Sequence, residues 1–214
     1  MTIYLIRHGK TLANERHLYC GSTDLPLSKE GVEELQRLSY HVSRVRFVTS
    51  GLRRTEETLQ ILFGEVSHCV IPELREVDFG SFEMRGYQEL KDDPDYQSWI
   101  SGDNESNVPP GGESGNQMRQ RVLKAFSEIS QTGQDTVIIT HGGVISAIME
   151  SLFPEEGKNR YQWQPENGRG YALHAGSYTL IPDRTSYPGS GSCGTFPFLT
   201  FFRTSHIMVA ILKL

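Results

Sequence analysis

Apolar positions along this chain follow two rhythms. Ile3-Tyr4-Leu5-Ile6, Val45 to Ser50 and Thr136 to Thr140 are short runs of strand length. Between them the apolar residues recur at helical spacing. Val32, Leu35, Leu38 and Val42 follow Ser28, which reads as an N-cap. A second helix is expected from about Arg53 to Phe63, closed by Gly64. A long third helix should cover Glu113 to Thr132, with Met118, Val122, Leu123, Phe126 and Ile129 inward. A fourth runs from Val144 to Phe153 and is stopped by Pro154. Gly170 to Ile181 alternates as a hairpin around Ala175-Gly176. Strands that alternate with helices in this way build an α/β fold on a parallel sheet.

Each of the three apolar runs hands over to chemistry. The first is followed by Arg7-His8-Gly9, the second by Gly51-Leu52-Arg53-Arg54-Thr55, and the third by His141-Gly142-Gly143. In a parallel α/β sheet such strand ends share one edge, where ligands bind near the switch in strand order. Arg7, His8, Arg54 and His141 should therefore meet in one crevice. An arginine grips two oxygens of a phosphate at once, an imidazole can attack phosphorus, and a glycine lets backbone approach closely.

Bulk properties narrow the reading. At 214 residues the chain suits one domain with a substantial core. Its net charge of −5 argues against a general nucleic-acid binder; arginines gathered at one crevice fit a small anionic ligand better. The cysteines, Cys20, Cys69 and Cys193, are odd in number and widely spaced, which fits a reducing compartment. The chain enters a strand at once, with no leader pattern and no membrane-length apolar stretch, so a cytoplasmic location is expected.

Residues 79 to 115 are rich in aromatic and charged side chains, including Tyr87, Tyr96 and Trp99, and read as a lid inserted over the site. From Asp183 onward the chain breaks character and carries no functional reading; a non-native or frame-altered end is one account of it. Gly189 to Gly194 matches G-x-G-x-x-G by count, but no strand precedes it, so the match is chance. His17, His41, His68, His174 and His206 have no comparable setting and read as ordinary surface or core residues. A metal held by His8 and His141 is disfavoured because the neighbouring arginines would repel a cation.

Leu5-Ile6-Arg7-His8-Gly9-Lys10-Thr11, with Asn14, resembles the signature of the histidine phosphatase superfamily, also called phosphoglycerate mutase-like. Gly21 to Ser28, Ser50 to Thr58, Leu74-Arg75-Glu76 and Thr140 to Gly143 resemble its other landmarks in order. The likeness covers about residues 1 to 182. It implies a three-layer, doubly wound, mostly parallel sheet with helices on both faces. It also implies a phosphomonoesterase in which His8 becomes phosphohistidine, Arg7, Arg54 and His141 hold the phosphoryl oxygens, and Glu76 protonates the leaving oxygen. Asn14, Cys20, Gly21, Thr23 and Gly142 would contact the substrate. Arg54 is preferred to Arg53 because the family arginine stands four residues after the serine. Glu83 is the competing acid, and Glu76 is preferred. Lys10, Gly51 and Thr55 depart from the usual pattern without removing a catalytic group.

The implied chemistry needs no cofactor and no metal: two guanidiniums and one imidazole can neutralise the equatorial oxygens. His8 must be unprotonated, which nearby guanidiniums favour, and its other ring nitrogen should donate to a backbone carbonyl. The narrower resemblance is to the alpha-ribazole phosphatase branch, which acts in cobalamin synthesis. The expected partner is a small phosphorylated metabolite, with neither nucleic acid nor membrane; a homodimer is compatible. A phosphomutase, or a non-catalytic module that binds phospho-ligands, are the competing readings.

Overall fold

The computed structural model describes residues 1–103 and 105–182. The expectations placed on residues 183–214 lie outside them. Six strands form one sheet in the order β3-β2-β4-β1-β5-β6. They are β1 (Thr2–Arg7), β2 (Arg46–Thr49), β3 (His68–Val70), β4 (Thr136–Thr140), β5 (Gly170–His174) and β6 (Ser177–Ile181). The first four pair in parallel, whereas β5 runs antiparallel to β1 and returns as β6. The hairpin anticipated around Ala175-Gly176 is thus the antiparallel margin of an otherwise parallel sheet, a common finish for α/β folds.

Alternation along β1 and β4 sorts side chains to two faces. Ile3, Leu5, Val48 and Ile138 share a core with α6 (Gly115–Gln131) and α7 (Gly142–Leu152). Ile6, Val137 and Ile139 pack on the other face with Leu59 of α3 (Arg53–Phe63). Helices therefore cover both faces. In α6, Met118, Val122, Phe126 and Ile129 are buried as their spacing requires. It starts at Gly115 rather than Glu113 because Ser114 caps it, in a reciprocal box with Gln117. α3 spans the expected residues and ends at Gly64, whose φ of 77° would strain other residues.

One helix is shorter than its pattern predicted. α2 (Lys29–Leu35) is capped by Ser28 but stops well before Val42. Ser39-Tyr40-His41-Val42-Ser43 has weak helix propensity, and Tyr40 and Val42 pack against the sheet from a loop instead. Spacing alone could not separate a helix from a strap with the same buried residues.

The expected lid segment carries α4 (Tyr87–Leu90) and α5 (Pro94–Ile100) and has a core of its own. Phe82, Leu90 and Tyr96 are buried there, with Tyr19, Phe79, Tyr87 and Trp99 packed around them. Tyr19 comes from the loop after α1 (Leu12–Glu15), and its hydroxyl lies 2.8 Å from that of Tyr96. The segment is thereby fastened to the loop after α1. Among the described residues no helix is long and apolar enough to cross a membrane.

Gly170 shows how tightly the central pair is drawn. It lies opposite Ile6, and a Cβ there would overlap the backbone carbonyl of Leu5. That carbonyl cannot retreat without opening the β1–β5 ladder. Gly170→Ala should destabilise the fold by about 3 kcal/mol, read as a lower denaturation midpoint at unchanged slope.

Candidate active site

The register of the central strands makes the site. Arg7 of β1 lies opposite Thr140 of β4, so His8 and His141 leave the sheet side by side. Their rings stand edge to face, with centroids 5.1 Å apart. Arg54 enters from the first turn of α3, whose parent strand β2 is the next neighbour of β4. The strand-end argument therefore holds: Arg7, His8, Arg54 and His141 converge at one sheet edge, and their charges act on one another.

Each group is held by backbone. His8 Nδ1 lies 2.7 Å from the Gly9 carbonyl, which fixes that nitrogen as the donor and leaves Nε2 with its lone pair. The Gly9 amide donates to the Thr58 hydroxyl at 2.9 Å, and that hydroxyl donates back to the Arg54 carbonyl. Arg54, only 1% exposed, donates to the carbonyls of Thr23 (2.8 Å) and Gly21 (2.7 Å). Arg7 donates through Nη1 to the Pro165 carbonyl at 3.0 Å. Arg7 Nε and His141 Nδ1 are buried with no partner. Buried polar atoms are rarely left unmatched, and two of the three found among the described residues belong to this cluster, Trp163 Nε1 being the third.

Electrostatics follow from burial. Desolvation, then the guanidiniums of Arg54 and Arg7, push His8 well below the usual imidazole range, against the pull of the Gly9 carbonyl. Burial, then Arg54 and the His8 ring, do the same to His141. Both imidazoles are therefore neutral at pH 7. Burial also lowers both arginines, and the Glu76 carboxylate partly restores them. The cradle is cationic because of its arginines alone.

Glu76 and Glu83 separate cleanly in space. Glu76 lines the cleft; its carboxylate accepts from the amides of Gly143 (2.8 Å) and Val77 (3.0 Å). Its segment is pinned by Arg121 of α6, which donates to the carbonyls of Glu73, Arg75 and Glu76 and pairs with Glu113. Glu83 is instead saturated. Its carboxylate accepts from the amides of Gly21, Ser22, Thr23 and Phe79 and from the Thr23 hydroxyl.

The residues expected to touch substrate are distributed unevenly. Asn14 and Cys20 line the cleft. The Asn14 side-chain oxygen accepts from the amide and hydroxyl of Thr11 and so caps α1. Burial pushes the Cys20 thiol up to about 11, so it is a neutral donor, 3.6 Å from the Thr23 carbonyl. Gly21 and Thr23 stand behind the cradle, their polar groups spent on Arg54 and Glu83. Gly142 opens α7 with backbone close to Arg7 and Gln164.

Sequence reasoning missed the loop from Gln164 to Arg169. It supplies the carbonyl for Arg7, and Asn167 donates to the His8 carbonyl at 2.9 Å. Nothing in its sequence marked it; its role appears only once β5 closes beside β1. A cleft of about 1280 Å³, which meets the cluster at Arg7 and Glu76, opens between this loop, the aromatic side chains of Phe79, Tyr87 and Trp99, and α8 (Arg160–Trp163). Among the described residues no group of three or more His, Cys, Asp or Glu could hold a metal ion.

Known proteins resemble this chain in sequence and fold. The chain is 30% identical over 177 residues to the adenosylcobalamin/alpha-ribazole phosphatase of Escherichia coli, covering 78% of this chain and 87% of that protein. The alpha-ribazole phosphatase of Shigella flexneri superposes with a TM-score of 0.75 at 29% identity, over 90% of this chain and 100% of that one. A phosphoglycerate mutase of Thermus thermophilus superposes at 0.64 with 31% identity, over 81% and 92%. The profile of the histidine phosphatase superfamily (branch 1) matches residues 3–179, which takes in Arg7, His8, Arg54, Glu76 and His141. On that span of sequence and this convergence of side chains, the chain belongs to the histidine phosphatase superfamily.

Proposed function

We propose that the chain hydrolyses a small phosphate monoester through a phosphohistidine on His8, without a metal. The supporting observation is the buried cradle itself: a neutral His8 with Nε2 free, ringed by Arg7, Arg54 and His141, two of which hold unmatched N–H or nitrogen groups. In the first step the His8 Nε2–P bond forms as the ester P–O bond breaks, and Glu76 gives its proton to the departing oxygen. In the second, water attacks phosphorus and returns a proton to Glu76. The N–P bond breaks, phosphate leaves and His8 is neutral again. Positioning and charge neutralisation supply most of the acceleration, because the transferring phosphoryl group asks little covalent chemistry of the protein.

Glu76 suits the acid role because its carboxyl lines the cleft, whereas Glu83 is saturated by amides behind it. Gly21 and Thr23 serve by aligning Arg54 rather than by touching substrate. The relatives named for alpha-ribazole phosphatase support alpha-ribazole 5′-phosphate, an intermediate of cobalamin synthesis, as substrate. The cleft wall agrees, since Tyr19, Phe79, Tyr87, Trp99 and Tyr161 suit an aromatic leaving group. Beyond the cradle, Lys10 is paired with Glu30 and Glu34, Arg160 with Glu105 and Arg169 with Glu166. Arg37 also lines the cleft and has no acidic partner among the described residues, so charge alone does not separate the two chemistries; the adenosylcobalamin/alpha-ribazole phosphatase relatives favour hydrolysis over mutase chemistry. A cytoplasmic setting suits the free thiols of Cys20 and Cys69.

Turnover of p-nitrophenyl phosphate should persist in EDTA and be abolished by His8→Ala; an active His8→Ala enzyme would remove the nucleophile. Glu76→Gln should slow alkyl phosphates by about 10²–10⁴-fold but p-nitrophenyl phosphate far less, since p-nitrophenolate leaves without a proton. Comparing kcat/KM across leaving groups checks this, and equal slowing would rule out Glu76 as the acid.

A further inference from the structure

A neutral imidazole can either offer a proton or repel a phosphoryl oxygen with a lone pair, depending on its tautomer. His141 is buried and uncharged, so the choice decides whether it assists at all. The structure contains the group that makes the choice. Ser50, fully buried at the end of β2, places its hydroxyl 2.8 Å from His141 Nε2.

The protons around Ser50 can be followed one by one. The Thr55 hydroxyl also stands near, at 3.2 Å, but its proton goes to the Leu52 carbonyl at 2.7 Å. The Leu52 amide lies 3.4 Å from Ser50 Oγ and points its hydrogen at it. Ser50 Oγ thus already has an amide donor, and it has a single proton to give. The nearer acceptor is His141 Nε2. If Nε2 receives that proton as an acceptor, the ring's own hydrogen sits on Nδ1. That is the atom left buried and unpartnered beside the arginines.

We infer that Ser50 is a positioning residue that fixes His141 as the Nδ1–H tautomer. A neutral ring then presents a donor to a phosphoryl oxygen without adding a third buried positive charge. The opposite tautomer would aim a lone pair at the anion and leave the Ser50 proton only the longer contact to Thr55. This inference rests on the phosphatase reading for its purpose, but the tautomer is a property of the ligand-free protein.

The test therefore begins without catalysis. Long-range ¹H–¹⁵N correlation on protein labelled at histidine, with His141 assigned through His141→Gln, reads the two ring nitrogens at neutral pH. We expect Nδ1 to carry the proton and Nε2 to show the unprotonated shift. A proton on Nε2 in the unsubstituted protein overturns the inference whatever the enzyme's activity. In Ser50→Ala the preference should fade and the affinity for inorganic phosphate should fall about tenfold, with Ser50→Thr restoring both. An unchanged tautomer and phosphate affinity in Ser50→Ala would equally overturn it. Loss of turnover with the expected tautomer intact would count against the phosphatase reading instead.

Discussion

Two guanidiniums buried against two imidazoles are the constraint around which this molecule is arranged. Removing such charges from water costs several kcal/mol per ion unless good partners replace the solvent. Carbonyls do most of that here. Gly21 and Thr23 face Arg54, and Pro165 faces Arg7. The loops that carry them are irregular for that reason: a carbonyl already in a ladder is not free to turn toward an arginine. The same burial keeps both imidazoles neutral, which a nucleophile requires. Cation burial and nucleophile activation are one electrostatic fact seen from two sides.

The remaining architecture fixes that cluster in place. Parallel pairing of β1 with β4 sets the His8 and His141 rings at contact distance. Arg121 ties the Glu73–Glu76 segment to α6, and the Gly143 amide holds the Glu76 carboxylate from α7. The groups of the proposed reaction thus sit in or directly beside elements packed on a common sheet: Arg7 in β1, Arg54 in α3, His8 and His141 immediately after β1 and β4, and Glu76 on a segment tied to α6 and α7. Rigid elements hold such geometry better than loops.

Much of this was legible in the sequence, for a physical reason. Strand ends carrying Arg7, His8 and His141 follow short apolar runs, and the parallel sheet that such runs imply has only one edge for them. Helix α3 was bounded correctly because Gly64 closes it, and the strict period of α6 located its buried face although its ends lie inside the expected 113–132. The end of α2 was not legible: Val42 is partly buried in helical register yet reaches the core from a loop. The surroundings of Glu83 were equally opaque, because a carboxylate saturated by amides and one that lines a cleft are the same letter. The Gln164–Arg169 loop had no signal at all, since its worth lies in carbonyls and one amide side chain. Side-chain chemistry could be anticipated from residue type; backbone partners could not.

The five donors gathered on Glu83 join two parts usually thought of separately. Glu83 belongs to the segment whose aromatic side chains wall the cleft, yet it holds the loop whose carbonyls accept from Arg54. Transplanting that segment between relatives to change substrate preference therefore also replaces a rivet of the oxyanion grip. A graft that omits a carboxylate at this position would alter recognition and chemical power together, whatever its new wall was chosen to fit.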